Sequence, residues 1–331
     1  MALKISIIGL GVIGKVHAEA LSRLGTPALA LCDIVAEKAE AVREKYAPDA
    51  KIYTDWREML RDFSPDVVHI CTPHDLHAEM AVEALGSNIH VLCEKPLCIN
   101  EEQLVRILDA EKQSLATLGV CFQNRYTPAN QFLKHYLCEK KIVAAHGSVV
   151  WHRDEQYYRS AEWRGTLAHE GGGVLINQAI HTLDLLCWIC GEPSEVKATA
   201  DCFTLGEVIE VEDTLVATFD GTVPFTFFAT NSAADNFSVT LHFKSGSGEK
   251  ISAVQNSILI DGVSMLPEKL SETQVSSLGK EYYGNAHGAL FYDFYKCIEE
   301  ARPFPICGEE AAKVMRLVFA AYRSRGEKIA I

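Results

Sequence analysis

Hydrophobic and polar positions follow two rhythms along this chain, and the change comes near residue 122. Before it, short unbroken apolar runs stand apart: "KISIIGL" (4–10), "ALALCD" (28–33), "DVVHICT" (66–72), "HVLCEK" (90–95) and "LATLGVCF" (115–122). Runs of this kind suit strands buried on both faces, as in parallel sheets. Helical stretches lie between them, through about Leu24 and over 76–86 and 100–113, with Asn100 and Gln103 spaced as a capping pair for the last. With "LATLGVCF" as the sixth strand, the alternation predicts an α/β fold built on a doubly wound parallel sheet.

After residue 122 the rhythm shortens. Thr127-Pro128 caps a short helix, and "IVAAHGSVVWH" (142–152) opens a different pattern. From 195 to 260 the chain reads as nearly all strand: "EVKATADCF", "VIEVEDTLVATFD", "VPFTFFATN", "FSVTLHF" and "KISAVQNSILI". Asp220-Gly221, "SGSG" at 245–248 and Asp261-Gly262 supply hairpin turns. Two helices follow, near 285–301 and 308–325. The pattern predicts an α+β second domain with an open, mostly antiparallel sheet and helices on one face. The expected division is 1–122 and 123–331.

Composition narrows the class. At 331 residues two cores are the natural expectation, and 48% hydrophobic with 23% charged residues is ordinary for a soluble globular protein. A net charge of -13 argues against nucleic acid or an anionic membrane as partner. The eleven cysteines are odd in number and scattered, the start "MALKISIIGLGVIGK" is strand-like, and no apolar run is read as long enough to cross a bilayer. A reducing cytoplasm is therefore expected, with thiols packed as small hydrophobes. Cys187 and Cys190 read as core too, because they lie in a helical run that Gly191 and Pro193 end.

Chemistry enters at the first turn. "GLGVIG" sets Gly9, Gly11 and Gly14 in G-x-G-x-x-G spacing around Val12 and Ile13, after a strand and opening a helix. There the glycines permit a tight turn, close approach of a pyrophosphate, and close helix–strand packing. Asp33 ends the second strand, where a carboxylate accepts ribose hydroxyls and repels a 2′-phosphate. With no Arg or Lys until Lys38, NAD is favoured over NADP. The alternative is a plain turn beside a surface Asp.

Two further strand ends carry polar residues: Thr72, Pro73 and His77 in "CTPHDLH", and Glu94, Lys95 and Pro96 in "CEKPL". Ligands of open α/β sheets lie beyond such ends. Farther on, "GGGVLINQAIHTLDLL" (171–186) aligns Asn177, His181 and Asp184 on one helical face. A polar stripe in an apolar helix is costly unless something pairs with it. His181 is either a core histidine satisfied by Asp184 or a catalytic base, imidazole being the side chain that titrates near neutrality. The twelve histidines show no zinc spacing, so no metal is expected. "WHRDEQYYRS" (151–160) reads as a loop over a ligand, with Tyr157, Tyr158 and Arg159 as sugar-contacting groups, or as a subunit contact.

Together, "GLGVIG", "TPHDLHAEMAVEAL", "HVLCEKPL" and "GGGVLINQAIHTLDLL" resemble the glucose–fructose oxidoreductase / inositol dehydrogenase (Gfo/Idh/MocA) family over essentially the whole chain. The resemblance implies an N-terminal Rossmann domain and an α/β domain whose open sheet forms the subunit contact in a homodimer or homotetramer. It implies NAD(P)-linked oxidation or reduction of sugars or cyclitols, with Lys95 and His181 facing the nicotinamide across the substrate, and a cis Lys95-Pro96 bond. By position it places Asn124, Arg125, Trp163 and Arg164 beside the cofactor and substrate; with the strand ends and the helical stripe, Thr72, Pro73, His77 and Glu94 are expected toward the cofactor and Asn177 and Tyr157 toward the substrate.

One position departs from the family pattern: many of its dehydrogenases carry Asp where this chain has Asn177. An amide cannot titrate, so it orients and does not transfer a proton. The leading expectation is an NAD-dependent dehydrogenase of a sugar, glycoside or cyclitol. The alternatives are a glycosidase working by transient oxidation with NAD recycled, and a non-catalytic NAD-binding protein.

Overall fold

A computed structural model describes residues 3–254, 257–265 and 285–331. The N-terminal part is a six-stranded parallel sheet of β1 (Ile5–Ile8), β2 (Ala30–Cys32), β3 (Lys51–Tyr53), β4 (Val67–Ile70), β5 (His90–Cys93) and β6 (Leu118–Val120). Its strand order is β3-β2-β1-β4-β5-β6. Between the strands run α1 (Val12–Arg23), α2 (Ala36–Tyr46), α3 (Trp56–Phe63), α4 (His77–Gly86) and α5 (Glu101–Gln113). β1 and β4 are buried at every position, as their unbroken apolar runs require. The order reverses between β1 and β4, so the crevice for a ligand opens beyond Ile8 and Ile70.

The second part begins with α6 (Pro128–Cys138), where the Thr127 side chain accepts from the Asn130 N–H as expected of a cap. Then come β7 (Ile142–Val150), α7 (Glu155–Arg159), α8 (Leu167–Glu170) and α9 (Ile180–Cys190). The strands β8 (Glu195–Asp201), β9 (Thr214–Asp220), β10 (Phe225–Thr230), β11 (Thr240–Ser245), β12 (Lys250–Val254), β13 (Ser257–Ile260) and β14 (Val263–Ser264) follow. α10 (Ala286–Glu299), α11 (Gly308–Ser324) and β15 (Ile329–Ala330) complete the described elements. Nine strands form one sheet in the order β14-β13-β12-β11-β7-β10-β9-β8-β15, antiparallel except for the β7–β10 pair. Alternate residues face the core: Leu215, Ala217 and Phe219 are buried, whereas Val216 is exposed.

Three expectations are corrected. "KISAVQNSILI" is two antiparallel strands, with Ile251 opposite Ile260, and its Gln255 and Asn256 lie outside the described residues. "VIEVEDTLVATFD" is strand only from Thr214, because the preceding stretch turns around the Asp213 carboxylate, which accepts the N–H groups of Phe203, Thr204 and Leu205. Leu167–Cys190 is long and apolar enough to cross a membrane by length and composition, yet it is almost wholly buried inside the protein. It is a core element, and Cys187 and Cys190 pack within it as free thiols.

The chain divides into two compact units. The first runs to Cys98, takes Glu102–Tyr126, and is rejoined by a later stretch ending at Ala311 that includes α10. The second holds Thr127 onward through the large sheet and the chain from Ala312. The return of α10 to the first unit is an addition that a single division at 122/123 does not contain.

Candidate active site

In the first unit the glycine loop separates into structural and open positions. Gly9 follows β1 with φ +86, and its N–H donates to the Cys32 carbonyl at 2.8 Å. A Cβ on Gly9 would lie 2.7 Å from the Cys71 carbonyl oxygen, and one on Gly14 would lie 2.0 Å from the Gly9 carbonyl oxygen. A Cβ on Gly11 would meet nothing within 4 Å beyond its chain neighbours and its own helix. The fold therefore needs the first and third glycines, and the second leaves open space. Gly11 is also the N-cap of α1 and caps it with no side chain, so the first N–H groups and the positive helix end stay available to an anion. Val12 beside it is exposed and Ile13 half-buried.

Asp33 is buried at the loop's edge. One oxygen accepts the Leu10 N–H at 2.8 Å and the other the Val35 N–H at 2.9 Å, leaving lone pairs for further donors. Open space at Gly11, uncapped N–H groups and a fixed carboxylate fit a dinucleotide.

The ends of β4 and β5 are tied by His77, whose Nδ1 lies 2.7 Å from the Pro96 carbonyl and whose Nε2 lies 3.0 Å from the Thr72 carbonyl. Burial lowers its pKa, so the ring is neutral and donates to one of these two carbonyls. His77, expected toward the cofactor, thus lies between the two turns. Thr72 and Pro73 sit half-buried in the first of these turns. In the second, the Lys95-Pro96 bond is cis, and the Lys95 N–H donates to Glu94 Oε2 at 3.2 Å.

Glu94 itself is buried at the end of a chain of rings. Burial pushes its pKa up, but the His17 hydrogen bond and the neighbouring His287 ring outweigh that and hold the carboxylate well below the usual range. Burial lowers the pKa of His17 and, further, of His69, so both rings are neutral. The tautomers then follow, since a carboxylate only accepts. His17 Nε2–H donates to Glu94 at 2.9 Å, and His69 Nδ1–H donates to His17 Nδ1 at 2.9 Å. The Tyr295 O–H in turn donates to His69 Nε2 at 2.6 Å.

His17, Glu94 and His287 bring three possible metal-ligand atoms within 4.8 Å, a grouping that no sequence spacing reveals. The 2.9 Å between His17 and Glu94 is closer than two ligands on one zinc stand, roughly 3.3 Å, and reads as a hydrogen bond. Sequence reasoning missed His17, His69, His287 and Tyr295 altogether.

Asn124 and Arg125 lie in the one-turn 3-10 helix Gln123–Tyr126. Arg125 is buried and pairs with Glu310 at 2.8 Å, while the Tyr126 O–H donates to Asp293 at 2.6 Å. The Arg125 guanidinium, expected at the substrate, makes this pair through Nη1.

In the second unit, the three glycines separate α8 from the helix that follows. A Cβ on Gly173 would fall 1.8 Å from the Glu212 carbonyl oxygen, so only glycine fits. The Glu212 carboxylate grips the same place: Oε2 accepts the Gly173 N–H at 2.8 Å, and Oε1 accepts Leu175 N–H at 3.0 Å and the Tyr322 O–H at 2.9 Å. Burial pushes its pKa up to about 7 against these three hydrogen bonds.

The helix then runs as a π turn, Leu175–Ala179, before α9 begins. Such turns recur at functional sites. Asn177, His181 and Asp184 are all buried, and α9 is buried on every side up to Cys187. They are polar groups inside a core and not a stripe on an amphipathic surface.

Asn177 donates its amide to the buried Glu170 carboxylate, which also accepts the Gly165 N–H. This accounts for the amide: Asp at 177 would set two carboxylates together. Arg164 and Gln178 both donate to the Tyr157 hydroxyl oxygen, and Asn231 donates to Gln178 and to Tyr158. The Arg164 guanidinium lies 4.7 Å from the Trp163 ring and 4.4 Å from the Tyr157 ring. Tyr157, Trp163 and Arg164 are thus brought together beside the π turn. Glu170, Gln178 and Asn231, which sequence reasoning did not single out, connect them to Asn177.

Residues 3–122 match the family model described as oxidoreductase family, NAD-binding Rossmann fold (GFO_IDH_MocA), and residues 141–256 match the GFO/IDH/MocA C-terminal domain. The chain belongs to the Gfo/Idh/MocA family. An inositol 2-dehydrogenase of Salmonella typhimurium is 32% identical over 197 residues, which is 58% of this chain and 56% of that enzyme. The matched stretch thus spans only about half the length of that relative. The myo-inositol 2-dehydrogenase of Thermotoga maritima is 25% identical over 98% of this chain and 97% of its own. Among solved family structures, the WlbA dehydrogenase of Bordetella pertussis in complex with NADH and UDP-GlcNAcA is 26% identical, with TM-score 0.88 over 99% of this chain and 97% of that one.

Proposed function

We propose that the chain is an NAD-dependent oxidoreductase acting on a secondary hydroxyl, or the matching ketone, of a sugar, glycoside or cyclitol. The observation that carries this reading is the polar group buried in the second unit: Asn177 and His181 sit on a core helix whose start is gripped by Glu212. The glycine loop and Asp33 support NAD, and relatives named for inositol and a UDP-sugar complex support the substrate class. NAD, when bound, supplies the hydride acceptor. His181 takes the proton of the reacting hydroxyl, and the Lys95 ammonium steadies the developing oxyanion. Asn177, held by Glu170, orients a neighbouring hydroxyl. The open face of the large sheet, carrying His146, Thr226 and His242, is assigned to self-association in a dimer or tetramer.

The test follows absorbance at 340 nm with NAD across hexoses, methyl and aryl glycosides and inositols. NADH is expected for one substrate class, with His181→Ala and Lys95→Ala each lowering kcat about a hundredfold or more. Full activity in both variants would refute the assignment. Aglycone release without NADH would replace it with a redox-cycling glycosidase.

A further inference from the structure

Two guanidinium groups in the second unit share one tyrosine ring: Arg153 lies 5.0 Å and Arg164 4.4 Å from the Tyr157 centroid. Neither has a carboxylate partner among the described residues. Arg23, Arg57, Arg125 and Arg302, by contrast, are each ion-paired in this acidic protein. In both shared arginines Nη1 is held by protein oxygens, Arg153 by the His152 carbonyl and by Asn236 at 2.9 Å, and Arg164 by Tyr157. Nε of both is buried without an acceptor, and Nη2 has no protein acceptor among the described residues. The Tyr157 oxygen already accepts from Arg164 and Gln178, so its own proton also lacks an acceptor there.

The nearby acids are occupied. Asp154 accepts the Tyr157 N–H, Glu155 pairs with Arg159, and Glu170 takes Gly165 and Asn177. The result is two cations and a hydroxyl that all donate. A sugar hydroxyl placed there would bring a further proton with no acceptor, whereas a carboxylate or phosphate brings only acceptors and a compensating charge.

We infer that the substrate is a sugar derivative bearing an anionic group, carboxylate or phosphate, gripped by Arg153, Arg164 and the Tyr157 hydroxyl. This rests on the oxidoreductase reading for the fate of the sugar, but not for its binding. The test is therefore calorimetric binding of D-glucuronate, glucose 1-phosphate and glucose to the whole protein, with NADH formation measured in parallel on the same three. At least one anionic sugar should bind about tenfold to a hundredfold more tightly than glucose, the worth of one charge-assisted hydrogen bond.

Arg153→Gln and Tyr157→Phe should each erase most of that preference, and Arg153→Lys should restore part of it. Preference for glucuronate identifies a carboxylate, and preference for glucose 1-phosphate a phosphate. Equal binding of all three, binding of neither anionic sugar, or a preference that survives Arg153→Gln overturns the proposal. Arginine-dependent binding without NADH would instead sink the oxidoreductase reading and leave the anion site standing.

Discussion

Glu212 offers a sharp test because a single carboxylate couples the glycine turn to pH. Its folded pKa of about 7 stands above the ordinary value of 4.5, burial being the dominant cause. Between those values the unfolded chain has released the proton and the native protein keeps it, so stability falls as pH rises. The contribution is fully present below 4.5 and is lost as pH rises through about 7. At about 1.4 kcal/mol for each pH unit between the two titrations, the loss comes to about 3 kcal/mol. Glu212→Gln removes the titration. It also leaves Gly173 or Leu175 N–H without its acceptor, a pH-independent cost of about 1–3 kcal/mol.

The assay is urea unfolding from pH 4.5 to 8 in a Trp56→Phe background, where Trp151, Trp163 and Trp188 of the second unit report. The wild-type protein should lose about 3 kcal/mol across this range relative to Glu212→Gln. Parallel pH profiles in the two proteins would refute the reasoning, as would a wild-type stability that rises with pH relative to the variant.

Other consequences are simpler. Gly11→Ala should leave unfolding within about 0.5 kcal/mol of wild type while weakening NAD binding about tenfold to a hundredfold by calorimetry. Gly14→Ala, which drives a Cβ into the Gly9 carbonyl, should instead cost about 3 kcal/mol or more in urea. Asn177→Asp should destabilise by about 1–3 kcal/mol near neutral pH, and Glu170→Gln in the same chain should recover most of it in a double-mutant cycle. Thr127→Ala should lower unfolding free energy by about 1 kcal/mol through loss of the α6 cap, with NAD affinity unchanged.

What could be read from sequence was what short-range physics determines. The glycine loop, Asp33 and the strand ends at Thr72 and Lys95 follow from local turns and from where strands stop. The β3 strand escaped because exposed Lys51 and half-buried Ile52 and Tyr53 carry no apolar run. β12 and β13 read as one strand because no glycine or proline separates them in sequence.

At the site, alignment of Asn177 with His181 was legible from helical spacing, but the π turn and the Glu170 partner were not. Neither has a periodicity of its own. The Arg125–Glu310 pair spans 185 residues, and the rings beside Glu94 come from helices and strands far apart in sequence. Long-range pairing turns a candidate ligand group into a fixed one, and sequence spacing alone does not report it.

The hydrogen-bonded rings behind Glu94 set an order on synthesis. Tyr295 follows His69 by 226 residues, so the first unit's buried polar chain stays open while strands β7 to β14 are translated. At about 5–20 residues per second, roughly ten to thirty seconds separate Tyr126 from Tyr295 on the ribosome. During that interval His69 is without its hydroxyl donor, and Glu94 is without His287. The cofactor-binding half, although encoded first, is among the last parts of the molecule to be completed.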